Sequence, residues 1–170
     1  MKFAIISDIH DNLANLSKTL NYCRKNKIED IIFCGDLSNY ETLKYLTNNF
    51  SGNFYLVDGN NDDYLWEKIK NSNFEIENQQ IKIFQKIGEF SLGGFKIAIT
   101  HFQWTAGDLA RKDIYDLVFF GHTHKPSYEK IGKTELINPG NVANLLFSPS
   151  FAIYDTFKKK PKLILLNELK

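Results

Sequence analysis

Residues 2–10 read KFAIISDIH, a near-continuous apolar run (Lys2–Ile6) followed at once by Asp8 and His10. An unbroken apolar run fits a strand covered on both faces better than a half-exposed one. The phrase recurs twice. Asp30–Cys34 is a second apolar strand ending in Gly35-Asp36, and Phe54–Val57 is a third, followed by Asp58-Gly59-Asn60. Between them, residues 13–26 set Leu13, Leu16, Leu20 and Cys23 at helical spacing behind Asn12 as N-cap. Ser38 is placed to cap a helix carrying Leu43, Leu46 and Phe50, and residues 62–70 read as a third, shorter helix. The order βαβαβα predicts parallel strands with right-handed crossovers.

The second half changes character. Residues 80–84, 88–92 and 95–99 read as short strands, with the hairpin signal Gly93-Gly94 between the last two. A helix is expected over 105–114 and a buried strand at Leu117–Phe120. Strands at 127–131 and 134–137 flank Gly132, and two more are expected at 150–155 and 162–167. Lys158–Lys160 with Pro161 reads as the solvated turn between these last two. The 17 asparagines are scattered, and there is no linker, repeat or low-complexity tract. The pattern predicts one α/β domain over residues 1–170, with two sheets and helices outside.

Composition narrows the function classes. With 21 basic and 20 acidic side chains the net charge is +1, which removes the main electrostatic case for non-specific nucleic-acid binding and leaves only a localised basic patch open. The longest apolar runs, such as Ile31–Cys34 and Leu163–Leu166, are far shorter than the roughly 20 residues of a membrane span. Met1-Lys2 leads straight into a strand-like run, which argues against a secretory signal. Cys23 and Cys34 are not in CxxC spacing and read as two reduced, buried thiols of a cytoplasmic protein.

The four histidines carry the chemistry. Every one lies just beyond an apolar strand: His10 after Ile5-Ile6, His101 after Ile97–Ile99, and His122 and His124 after Val118–Phe120. Asp8, Asp36 and Asn60 do likewise. Ligands of open α/β sheets bind at the carboxyl ends of parallel strands. Residues i and i+2 of an extended segment point the same way, so Asp8 and His10 can reach one centre, as can His122 and His124. Gly35, Gly59 and Gly121 sit where the chain must turn sharply off a strand. Three oxygen donors and four imidazoles suit two divalent ions sharing a carboxylate. Mixed N/O donors without thiolate favour Mn, Fe, Zn, Co or Ni over Mg or Ca. Alone, each piece is an ordinary turn or loop histidine. Together they leave no histidine outside the set.

Asp8-Ile9-His10, Gly35-Asp36, Gly59-Asn60-Asn61-Asp62, Thr100-His101 and Gly121-His122-Thr123-His124 resemble the ordered motifs of the calcineurin-like metallophosphoesterase superfamily. The short chain is most similar to its small prokaryotic phosphodiesterase branch, which is related to the retromer subunit homologue. Ile137-Asn138-Pro139-Gly140 and Pro149–Asp155 resemble that branch's tail. The resemblance implies a four-layer α-β-β-α sandwich with two mixed sheets. It assigns Asp8, His10 and His124 to one metal and Asn60, His101 and His122 to the other, bridged by Asp36. It implies hydrolysis of phosphodiesters by a hydroxide that the two ions activate. Manganese is the first expectation, with nickel, iron, cobalt and zinc as alternatives.

Two departures stand out. Many relatives carry histidine where this chain has Asn61, which cannot act as a strong general acid. Relatives often place glycine after the histidine matching His101, whereas Phe102-Gln103-Trp104 follow here. Phe102 is assigned to the core and Trp104 to the rim. Asp62 is expected either to orient Asn60 or His10, or to stabilise a helix N-terminus. A phosphomonoesterase or nucleotidase on the same site, and a metal-binding protein-interaction scaffold, are the competing readings. All seven ligand positions are filled, which favours the enzyme. The expected partner is a small phosphate ester, with no membrane and no strong nucleic-acid signal, and a homo-oligomer stays open.

Overall fold

The computed structural model describes residues 1–71 and 81–169. In chain order the first half runs β1 (Lys2–Ile6), α1 (Leu13–Lys25), β2 (Asp30–Phe33), α2 (Tyr40–Asn49), β3 (Asn53–Val57) and α3 (Asp63–Asn71). The second half runs β4 (Ile81–Phe84), β5 (Ile87–Leu92), β6 (Phe95–Thr100), α4 (Gln103–Arg111), β7 (Leu117–Phe119), β8 (Ser127–Ile131), β9 (Thr134–Asn138), β10 (Ser150–Asp155) and β11 (Lys160–Leu165). Residue 80, the expected start of a strand over 80–84, lies outside the described residues.

Two mixed sheets form. The first has the order β11-β10-β1-β2-β3-β4, and the second β5-β6-β7-β9-β8. β1 to β4 pair parallel, with Ala4 beside Ile31 and Phe33 beside Leu56, while β10 returns antiparallel on β1. In the second sheet β6, β7 and β9 are parallel, flanked by antiparallel β5 and β8.

Alternation along β1 shows why its apolar run is unbroken. Ala4 and Ile6 pack against Leu16, Leu20, Leu43 and Leu46 of the helices. Phe3 and Ile5 point the other way, into a core shared with Ile97, Phe119 and Tyr154. A third cluster joins Ala106, Leu109 and Ala110 of α4 to Val118 and Leu136. The layers are helices, sheet, sheet, helix, the expected sandwich. A buried side chain of this size contributes roughly 1.5–3 kcal/mol, so both faces of β1 stabilise the fold.

Several boundaries differ from expectation. The cap of α2 is Asn39, not Ser38: its side chain accepts from Thr42 N at 2.9 Å. Asn12 caps α1 as read, but Leu13 stays 39% exposed, outside the buried stripe. Helix α4 begins two residues earlier than 105, with Phe102 as its N-cap next to the strand-end His101, and ends at Arg111 rather than 114, with Asp113 beyond it at φ 54°. The turn before β11 occupies residues 156–159. Pro161 therefore lies inside β11, opposite Tyr154, where an edge strand tolerates its missing N–H. That strand stops at Leu165 and a short 3₁₀ turn, Leu166–Glu168, follows. Gly93 and Gly94, at φ 59° and 85°, make the β5–β6 turn as read.

Candidate metal centre

The loops beyond β1, β2, β3, β6 and β7 converge at one end of the sandwich. Backbone bonds lace them together: Asp8 N donates to Gly35 O, Gly121 N to His101 O, and Val142 N to Ser7 O. All seven singled-out side chains meet there. His10 Nε2 lies 3.3 Å from His124 Nε2, and His124 Nε2 lies 3.4 Å from Asp8 Oδ1. Asn60 Oδ1 lies 3.0 Å from both His101 Nε2 and His122 Nδ1. Between these two groups, Asp36 Oδ2 is 3.5 Å from His10 Nε2 and 3.5 Å from His101 Nε2.

The chain achieves this by a route that the spacing did not foretell. Asp8, His10, Asp36, His122 and His124 all adopt positive φ, between 44° and 66°. Neither Asp-x-His nor His-x-His is extended, so shared direction comes from left-handed backbone rather than from strand alternation. Such conformations cost of order 1 kcal/mol each and cluster at functional sites held by their surroundings.

The donor chemistry fits cations. His101 Nδ1 is 2.8 Å from Cys34 O, which can only accept, so Nδ1 carries the proton and Nε2 of the neutral ring is a lone pair. That lone pair faces another acceptor, Asn60 Oδ1. His124 Nδ1 faces Leu145 O at 3.3 Å, so its Nε2 lone pair likewise faces His10 Nε2. The lone pairs of His101 and His124 thus point at Asn60 Oδ1 and at Asp8 Oδ1, oxygen atoms that a cation between them would satisfy. Asp8, His10 and His124, and Asp8, Asp36 and His101, each bring ligand atoms within 4.8 Å of one another.

Charge follows the same geometry. Burial pushes the Asp36 carboxyl up, but the hydrogen bond and charge that His101 offers when its ring is protonated, with N–H groups of Asn61, outweigh it and hold it at about 2. Burial pushes His101 down, yet Asp36 raises it above its ordinary value. The Asp8 hydrogen bond raises His124 against its burial. His122 is lowered by burial and by the His101 charge.

Several supporting residues have roles that the sequence did not reveal. Asp62 orients neither Asn60 nor His10. One carboxylate oxygen accepts from Asp36 N and Gly59 N and the other from Ser38 N, which fastens two strand-end loops together. Burial raises its pKa, opposed by those N–H groups. Asn138 donates to Gly121 O and Thr123 Oγ1, fixing the loop that bears His122 and His124. Fully buried Asn141 donates to His124 O and accepts from Leu145 N. Its signal was adjacency to the Asn-Pro-Gly turn. Gly59 and Gly121 lack positive φ; they are glycine for space, because a Cβ would collide with Asp36 Oδ1 or with Ser7 Oγ. Phe102 is not core: half-buried, it stacks on Trp104 and touches His122 edge-on.

Residues 1–159 match the family described as the calcineurin-like phosphoesterase superfamily domain. The chain belongs to that superfamily. A phosphodiesterase of Methanocaldococcus jannaschii is 30% identical over 169 residues, 98% of this chain and 99% of its own length. The solved structure of an archaeal phosphodiesterase superposes with a TM-score of 0.82 at 31% identity, covering 97% of this chain and 99% of that one. Vacuolar protein sorting 29 from Cryptosporidium parvum superposes at 0.65 with 20% identity, over 96% of this chain and 95% of its own, a likeness of fold. Membership of this metallophosphoesterase superfamily implies divalent metal. No helix among the described residues is long and apolar enough to cross a membrane.

Proposed function

We propose that this chain is a dinuclear, manganese-dependent phosphodiesterase, one domain over residues 1–170, that works in the cytoplasm. Asp8, His10 and His124 hold one ion, Asn60, His101 and His122 the other, and Asp36 bridges them. The observation that carries the reading is the convergence of ligand atoms, His124 Nε2 on Asp8 Oδ1 and His10 Nε2, and Asn60 Oδ1 on His101 Nε2, joined through Asp36 Oδ2. The unpaired, buried Cys23 and Cys34 support a reducing compartment.

When bound, two such ions supply Lewis acidity and an activated water near neutral pH. The chain's own groups set the stage for that chemistry. Two carboxylates against two divalent cations leave the site net positive, which suits a phosphate ester. Cys34 O fixes the His101 tautomer, and Asn61 and Asp62 fix the carboxylate and backbone of Asp36. The Asn61 amide holds Asp36 Oδ2 and, being too weak an acid, passes no proton to the departing oxygen.

The test is a metal-by-substrate screen. Chelated protein is refilled with manganese, nickel, cobalt, zinc or magnesium and assayed on bis(p-nitrophenyl) phosphate, p-nitrophenyl phosphate and 2′,3′-cyclic nucleotides. Manganese should restore diester hydrolysis that chelation abolishes. Turnover unaffected by chelation would sink the reading, and faster monoester hydrolysis would shift it to a phosphomonoesterase.

A further inference from the structure

The metal-site imidazole of His122 is faced by two aromatic rings that the core does not use. Trp104 stacks on Phe102 with centroids 4.6 Å apart and planes 17° apart. Both meet His122 edge-on, Trp104 at 5.7 Å and Phe102 at 4.9 Å. Trp104 is 63% exposed, although the buried face of its helix, through Ala106, Leu109 and Ala110, is well packed against the second sheet. One face of the indole is thus braced by Phe102 and the other is open beside the metal centre. A large ring left in water forfeits the burial that usually justifies it. An open π-face offers offset stacking, and bracing lowers the rotamer entropy lost when something stacks there.

We propose that Phe102 and Trp104 form a stacking platform that selects phosphate esters carrying a planar aromatic group, an aryl ring or a nucleobase. The inference rests on the phosphodiesterase reading and adds the substrate class. A cation such as a quaternary ammonium is disfavoured: its recognition uses several rings in a cage, whereas one face is open here, next to a net-positive site. Stacking tolerates any flat ring, so the platform sets class rather than identity. Trp104 contacts the substrate away from the bond that breaks. Its contribution therefore falls on KM and not on kcat.

The experiment uses matched ligands on manganese-loaded protein. Calorimetric binding is measured for phenylphosphonate against methylphosphonate, and for adenosine 5′-monophosphate against ribose 5-phosphate. Wild type, Trp104→Ala and Trp104→Phe are compared, with metal content measured in each. In wild type the aromatic member of one pair should bind about tenfold tighter than its partner. That advantage should vanish in Trp104→Ala and largely survive in Trp104→Phe. If Trp104→Ala loses metal, Trp104→Leu keeps the bulk without the π-face and carries the comparison. The pair showing the effect distinguishes an aryl from a nucleoside source. No aromatic advantage in wild type, or one undiminished by removing the indole, overturns the platform. Diester turnover by wild type, read separately, tells that failure from a failure of the phosphodiesterase reading.

Discussion

Asn61 grips both carboxylate oxygens of Asp36: its backbone N–H donates to Oδ1 at 2.9 Å and its side-chain amide to Oδ2 at 2.7 Å. The residue that stands where many relatives carry a histidine is therefore a holder of the central carboxylate. Removing the amide in Asn61→Ala leaves the backbone bond in place. Metal affinity should fall about 10- to 100-fold, the usual cost of a lost outer partner. Titration of chelated protein with manganese measures this; unchanged affinity would mean that the bond is incidental.

Losing the carboxylate charge is more severe. Asp36→Asn should abolish turnover and reduce metal content at both positions, because Asp36 stands between the two groups of donors. Elemental analysis that finds two ions per chain alongside near wild-type turnover would remove the bridging role.

With no histidine at position 61, the departing oxygen receives no strong acid. Activated aryl diesters should outpace poorer leaving groups steeply, since a missing general acid typically costs about 10²–10⁴-fold. A series of aryl diesters of graded leaving-group pKa, run on wild type and Asn61→His, tests this. A flat wild-type series with chemistry rate-limiting would reveal another acid.

Protons and metal compete for the same imidazoles. His101 and His124 are raised in the folded, metal-free protein, so each stabilises that state below its ordinary value of about 6.5 and ceases to as pH climbs through the raised one. His122 is lowered and acts in the opposite sense, costing stability as it is protonated. Asp36, held at about 2, stabilises above about 4 and is constant near neutrality. The rise in Tm that manganese confers should therefore grow from about pH 6 to about pH 8. Melting curves of chelated and loaded protein across that range check it, and a shift indifferent to pH would argue against imidazole ligands.

Glycines separate space from flexibility. Gly121→Ala must displace Ser7 Oγ and crowd Asp8 Oδ2 at 2.8 Å, so it should cost about 1–3 kcal/mol and weaken metal binding. At Gly107, inside α4, the atoms nearest to an added Cβ are the flexible end of Arg111, at 3.5 Å. Gly107→Ala should stabilise by about 0.5–1 kcal/mol. Urea midpoints of the two variants should move in opposite directions.

The strands were legible because double-sided burial writes itself as apolar runs, as in β1 and β2. The residues of the centre were legible because each follows such a run. Their aim was not. Left-handed backbone at Asp8, His10, His122 and His124 leaves no trace in spacing, and alternation predicted their convergence for the wrong reason. The role of Asp62 was hidden likewise: its partners are backbone N–H groups of Asp36, Gly59 and Ser38, and only Gly59 is its near neighbour in sequence. Phe102 read as core on hydrophobicity alone, which cannot distinguish a ring packed under a sheet from one stacked beside an imidazole.

The centre draws Asp8, His10, Asp36 and Asn60 from loops of the six-stranded sheet and His101, His122 and His124 from loops of the five-stranded one. Neither half owns a complete donor set. The site comes into being only once the two sheets have docked, so an ion captured there would act as a rivet through the seam. It would resist the motion that separates them, and metal uptake during refolding should time that docking event.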